Sequence, residues 1–484
     1  MRMPQFSCEG SVENLGTSGP SERTDREPDI EPASTMEAIS GAVDEQPPRQ
    51  APHMKLLAQW PAWREPPPPA VKESLPTAND DDKRLAGGED QQPFYSSVQW
   101  TADGTTILAG ASDNTVSSFV LPADLLQSGD ANRLLESQAR TKLPEPTQAM
   151  APAPYFSLAD PATQTYLVGC RDHPLHIYHA FPRPGHRPTP LGTYKLIRKE
   201  TEQYITPASL LWTYPGTHFL CGSSNRIDYF DVSRHGSDGP MLTVPTIPSK
   251  RHVSKGNGVG MRGTVAALAA SPPAADGGSM VAAGTWTRWM GLYDLGRTDR
   301  IVANWSIARA AEGEFKVDLV GQGIVQVVWS PCGRYLVINE RNANSLLVYD
   351  IRSTGQLLAA LCGRQSTTQQ KLMCDVFQGD VSGDGRFEVW AGSQDGSVLV
   401  WEDVGARYGL AQPLWDWHAH QSPVGGTALH SCGSVVATCS GAWVHSPETP
   451  DDGAIPARHP GRHTTRTLDE SSLKIWSIGT QAAP

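Results

Sequence analysis

Between Ile324 and Arg352 the chain reads IVQVVWSPCGRYLVINERNANSLLVYDIR, three apolar blocks separated by two polar ones. Ile324 to Trp329 is rich in β-branched residues, as in a strand covered on both faces. Ser330-Pro331-Cys332-Gly333 has turn chemistry, with proline fixing φ and glycine accepting a positive φ. Tyr335 to Asn339 predicts a second strand, Glu340 to Asn344 a polar turn, and Leu346 to Tyr349 a third strand closed by Asp350. The three strands make one antiparallel meander. A lone meander cannot cover its own faces, so copies must stack.

The pattern recurs at spacings of roughly 40–50 residues, the signature of an all-β, WD40-type β-propeller. Blade one is read from Phe94 to Leu121, with turns at Asp103-Gly104 and Ser112-Asp113-Asn114. Blade two is read from Tyr155 to Phe181, blade three from Ser209 to Val232, and blade four from Gly263 to Leu295. Blade five is the stretch above. Blade six runs from Leu372 to Asp403, with turns at Gly383-Asp384-Gly385 and Asp395-Gly396. Blade seven begins near Pro423, with Val435 to Cys439 as its middle strand and Leu473 to Trp476 as its third. The polar stretch between them, about 443–469, reads as a disordered insertion. The count favours seven blades, with six or eight left open because the last unit is interrupted.

Residues 1–53 are rich in Ser, Glu, Asp and Pro and poor in large apolar side chains, which predicts a disordered acidic tail. Met54 to Trp60 is the first strand-like run. Leu56, Leu57 and Trp60 either supply a ring-closing strand to the last blade or form a local apolar patch before a Pro-rich linker that reaches residue 93. The propeller is expected over 94–478.

Composition narrows the function. The 484 residues carry a net charge of −11, but −8 of it lies in residues 1–93, so the expected propeller is close to neutral. No apolar run is long enough for a membrane helix, and MRMPQFSCEG lacks the apolar centre of a secretory signal. Eight scattered cysteines without a CxxC pair predict reduced core residues of an intracellular protein rather than a zinc site or a disulfide framework. No P-loop, dinucleotide-binding glycine pattern or Ser/His/Asp set is present, so neither an enzyme nor a cofactor is expected. His418 and His420 in WHAH suit a structural imidazole better than a metal ligand.

Candidate chemistry lies in the turns. In a propeller the connections between second and third strands, and those entering each blade, share one face. They contain Arg171, Arg198, Lys199, Arg226, Arg262, Arg288, Arg341, Arg364 and Lys371, with the aromatics Tyr204 and Trp286 between them. The first-to-second turns carry only acidic charge at Asp103-Gly104 and Asp384-Gly385. Cations for phosphates and aromatic rings for unstacked bases are what single-stranded RNA recognition requires. Each residue taken singly also fits an ordinary solvated turn, and Arg171 fits local pairing with Asp172 or Asp113.

Trp100-Thr101-Ala102-Asp103-Gly104, Ser112-Asp113-Asn114, Leu121-Pro122 and Arg171-Asp172-His173-Pro174-Leu175-His176-Ile177-Tyr178 with Ala180-Phe181 carry a resemblance: the blade sequences resemble the telomerase Cajal body protein family and its yeast splicing-linked relatives. It continues through Gly222, Asn225-Arg226-Ile227, Gly291-Leu292-Tyr293, Tyr349-Asp350-Ile351-Arg352 and Thr368-Gln369-Gln370-Lys371-Leu372 before Asp375, covering roughly 94 to 403. Cys332 and His179 stand where the family has Asp. The resemblance implies a non-catalytic nuclear scaffold, with Cajal body location, small nuclear, small Cajal body or telomerase RNA as ligand, and ribonucleoprotein or spliceosomal proteins as partners. A protein-only adaptor in pre-mRNA splicing is the other reading. No membrane association is expected, and the propeller is expected as a monomer.

Overall fold

The computed structural model describes residues 51–61, 93–127, 132–183, 188–198, 200–236, 238–248, 260–274, 277–298, 300–308, 319, 321–378, 386–445, 465–467 and 470–479. Residues 1–50, on which most of the expected disordered tail falls, lie outside the described residues, as do most of the linker and the turn Gly383-Asp384-Gly385.

The unit from Ala51 to Pro484 is a seven-bladed propeller. Its first strands surround the centre: Tyr95–Trp100, Thr147–Pro152, Ser209–Thr213, Val265–Ala270, Ile324–Trp329, Cys374–Phe377 and Val424–Leu429. Each blade also has a fourth, outer strand: Ala139–Lys142, Gly192–Tyr194, Leu242–Pro245, Ile301–Ser306, Leu357–Leu361, Trp415–His418 and, for blade seven, His53–Pro61. His53–Pro61 pairs antiparallel with Ser472–Gly479 from His53 opposite Gly479 to Pro61 opposite Ser472. Leu57 and Ala58 are buried there with Tyr95, Phe119, Leu473 and Ile475.

Three differences from the sequence reading matter. The outer strands of blades one to six have no counterpart in it. Blade two begins at Thr147–Pro152 rather than Tyr155, because T-Q-A-M-A-P lacks β-branched bulk and ends in proline. Within the expected insertion, Trp443–His445 pairs with Thr465–Thr467, whereas 446–464 lie outside the described residues.

Adjacent blades meet closely because one strand position stays small. The second-strand residue facing the next blade is Gly110, Gly169, Gly222, Gly284 and Gly392 in five blades and Cys439 in the seventh. A Cβ on Gly392 would lie 2.5 Å from the Val424 carbonyl, and one on Gly222 2.5 Å from that of Val265. Blade five alone places a larger side chain, Asn339, at this position.

Side chains also tie blade to blade. Trp100 Nε1 donates to the Ala428 carbonyl at 3.0 Å, Trp329 Nε1 to that of Ala269 at 3.1 Å, and Ser209 Oγ to that of Val265 at 2.8 Å. In blade seven a buried chain holds the seam. Trp476 Nε1 donates to Thr438 Oγ1 (2.9 Å), the Thr438 hydroxyl meets His420 Nε2 (2.7 Å), and His420 Nδ1 meets Glu470 Oε1 (3.0 Å). His420 therefore has the structural role read for it. Burial holds its pKa below the usual histidine value, against the contrary pull of the Glu470 hydrogen bond. Burial pushes Glu470 upward, but His420, Lys474, the Gln421 amide and Ser472 outweigh it and hold the carboxyl well below its usual range. Both folded values are depressed. Their stabilisation is thus present above the unfolded values and lost as pH falls, first through the histidine range and then below the carboxylate range. His420→Ala is expected to cost about 2–3 kcal/mol, since it removes two hydrogen bonds and a side chain from the buried seam. Its melting temperature should also fall less steeply with acid than that of the unaltered protein. Parallel slopes would assign the acid sensitivity elsewhere.

Candidate functional site

Antiparallel order puts the second-to-third turns and the blade-entering connections on one face, and the first-to-second and third-to-fourth connections on the other. The first face surrounds the mouth of a central channel of about 540 Å³. Its wall mixes polar side chains such as Ser97, Gln99, Gln148, Gln326 and Gln370 with apolar ones such as Met150, Leu268 and Val327, and among the described residues it carries one cation, Lys371.

The expected basic rim divides into three kinds of residue. Arg171, Arg198 and Arg262 are exposed to different degrees at the surface. Arg171 Nε lies 3.7 Å from Asp172 Oδ2, the local pairing considered for it, whereas Asp113 pairs with Lys142 at 3.2 Å. Tyr204 and Trp286 are also exposed.

Arg226 and Arg288 are already engaged. Arg226 Nε donates to Asp228 Oδ2 at 2.7 Å, and the Asp228 side chain is fully buried. Arg288 donates to both Glu340 oxygens at 2.7 and 3.0 Å and to the Leu319 carbonyl at 2.9 Å. It adopts a left-handed φ of 64°, where the equivalent turns of other blades use Asn114, Asp172, Asn225, Asn342 and Gly396. An arginine held there by a carboxylate from the next blade is a structural clasp.

The third kind gathers between blades five and six. Arg364 is 2% exposed. Its Nη2 donates to Asn339 Oδ1 (3.0 Å), the Ala343 carbonyl (3.2 Å) and Ser366 Oγ (3.3 Å), and its Nη1 to the Leu372 carbonyl (3.4 Å). Burial lowers its pKa to about 10. Burial, and then the charge of Arg341, also lower the Lys371 value. Lys199 lies outside the described residues, so the structure brings together Arg341, Arg364 and Lys371, and Arg262 with the Trp286–Arg288 turn through the Thr287 hydroxyl, which donates to the Arg262 carbonyl.

The expected segregation of charge by face does not hold. Arg334 and Arg386 sit in first-to-second connections, and Arg234, Arg297, Arg352 and Arg407 in third-to-fourth connections. The latter four cannot be given a face until the outer strands are placed. The polar side chains of the channel wall also escape the sequence reading. Their signal is present as glutamines inside apolar strands, such as Gln99 in YSSVQW and Gln326 in IVQVVW.

No protein-family model matches the chain. Telomerase Cajal body protein 1 of Bos taurus is 27% identical over 365 residues, 74% of this chain and 60% of the relative. The Homo sapiens protein of the same name is 26% identical over 392 residues, 80% and 64% respectively. This chain is similar to the telomerase Cajal body proteins. The match spans about three fifths of the length of those relatives. Guanine nucleotide-binding protein negative regulator 1 of Schizosaccharomyces pombe is 24% identical over 314 residues, 64% of this chain and 71% of the relative. Among the described residues, no helix is long and apolar enough to cross a membrane, and no cluster of three or more metal-ligating side chains occurs.

Proposed function

We propose that this relative of the telomerase Cajal body proteins is a non-catalytic nuclear scaffold that binds a small nuclear RNA and assists ribonucleoprotein assembly, in Cajal bodies where the cell has them. The kinship with Telomerase Cajal body protein 1 over about three quarters of the chain carries the reading. A face with surface cations at Arg171, Arg198 and Arg262 and exposed Tyr204 and Trp286 supports it, since backbone charge and base stacking are the two recurrent means of holding single strands.

The test is ultraviolet crosslinking of the tagged protein in its own cells, followed by sequencing of the attached RNA. Small Cajal body or telomerase RNA is the expected result, and spliceosomal RNA would place the protein in the splicing branch. Recovery no greater than from an untagged control would overturn RNA binding.

One observation favours the second reading, a protein-interaction adaptor in pre-mRNA splicing. Internal ion pairs occupy Arg226 and Arg288, which leaves the rim with fewer free cations than the sequence suggests. Partners recovered equally before and after nuclease treatment would support that reading.

A further inference from the structure

Between blades five and six Lys371 lines the mouth of the channel, Arg341 lies close enough for its charge to act on Lys371, and Arg364 is buried beside them. Among the described residues no carboxylate pairs with Arg341, Arg364 or Lys371. Both oxygens of Glu340, adjacent to Arg341 in the chain, are taken by Arg288. The half-buried Asp375 turns to blade seven, accepting from the Leu429 amide at 2.7 Å and the Val376 amide at 2.8 Å. Arg364 meets only neutral acceptors, and the buried Nε atoms of Arg364 and Arg341 have no hydrogen-bond partner among the described residues.

The site is built. Asn339, the one large residue at the small inter-blade position, donates to the Leu372 carbonyl at 2.7 Å and accepts from Arg364. Gln326 closes the floor, accepting from Asn339 Nδ2 at 3.1 Å and from the Cys374 amide at 2.8 Å. Gln369 Nε2 donates to Gln322 Oε1 at 2.7 Å, and the Gln322 amide donates to the Arg341 carbonyl at 2.8 Å, so the wall on that side is fixed. Lys371 enters the channel from this frame. Clustered cations with partly unsatisfied N–H groups are costly unless an anion completes them. A phosphate presents several acceptor oxygens and a charge that guanidinium and ammonium groups recognise well.

We propose that this mouth is a phosphate oxyanion site, with Lys371 and Arg341 contacting the anion and Arg364 supplying a fixed positive charge behind them. As the phosphate of an RNA strand the anion rests on the function proposed above; as a free phosphate it does not.

The experiment compares the full chain with the Arg341→Gln/Lys371→Met variant, using Lys371→Arg as a charge-retaining control. Inorganic phosphate at matched ionic strength should raise the melting temperature of the unaltered protein and of Lys371→Arg above their values in chloride, and should not do so in the double variant. In the second arm, affinity for a single-stranded oligouridylate is measured against salt. The double variant should lose about tenfold or more in affinity, and its log–log salt slope should be shallower by about 1. An equal phosphate shift in the protein and the double variant would overturn the site. A phosphate shift lost with RNA affinity unchanged would assign the site to free phosphate. An unaltered protein that binds no RNA would overturn the proposed function, while the phosphate arm still decides the site.

Discussion

Arg288→Ala is expected to destabilise the propeller by about 3–5 kcal/mol, the usual cost of stranding one partner of a buried ion pair. Glu340 is 2% exposed in its side chain, and Arg288 donates to both of its oxygens. Burial raises the Glu340 pKa above the ordinary glutamate value, although Arg288 opposes the rise. A raised folded value means that the group's contribution is fully present below the unfolded value and is lost as pH rises through the folded one. Without Arg288 the folded value rises further. The deficit of Arg288→Ala should therefore be smallest near pH 4 and should widen toward neutrality, read by urea unfolding at several pH values. Arg288→Ala/Glu340→Gln should recover much of the loss at pH 7, because no buried charge remains. A single-variant cost below about 1 kcal/mol, unchanged with pH, would mean that the clasp adds nothing. The same reasoning makes charge reversal at Arg226 and Arg288 a poor test of RNA binding, since each reversal would set two carboxylates together.

Ala58→Asp is expected to open the ring. Ala58 is fully buried in the strand that covers Ser472–Gly479 and packs into the cluster of Tyr95, Phe119 and Ile475. A carboxylate there has no partner and costs several kcal/mol, and neutralisation would leave a buried polar group. Gln59→Asp, one residue on and half-buried, should cost far less. Both variants are compared by thermal unfolding and by limited proteolysis. The expected pattern is a large loss of melting temperature and early cleavage near the seam in Ala58→Asp only. Equal melting of the two would show that the seam does not govern stability.

The blade-five stretch is legible because apolar blocks and turn chemistry coincide: Ile324–Trp329, Tyr335–Glu340 and Leu346–Asp350 all form where expected, the second and third strands each one residue longer. The outer strands are not legible. Gly192–Tyr194 has three residues, and Ala139–Lys142 is a short, mostly polar sequence, so neither carries a strong strand signal. That gap misplaces charge as well as structure, because Arg234, Arg297, Arg352 and Arg407 follow third strands. Within the rim, the bond between Arg226 and Asp228 is open to reading, since residues two apart on a strand share a face. The bond between Arg288 and Glu340 is not, because 52 residues and a blade boundary separate them. Arg364 looks like a turn cation in the sequence. Only the packing of Asn339 at a position otherwise given to glycine or cysteine shows it buried.

The antiparallel seam also fixes how the ring responds to tension. His53 lies opposite Gly479, so the incoming and outgoing chain leave the ladder side by side at one end. A pull applied through both loads that terminal pair alone. The hydrogen bonds then break in succession toward the pair of Pro61 and Ser472, as a zipper opens, instead of sharing the load in shear. The ring that joins its two ends most intimately is on this geometry the one that yields first at that joint, at low force and from a known end.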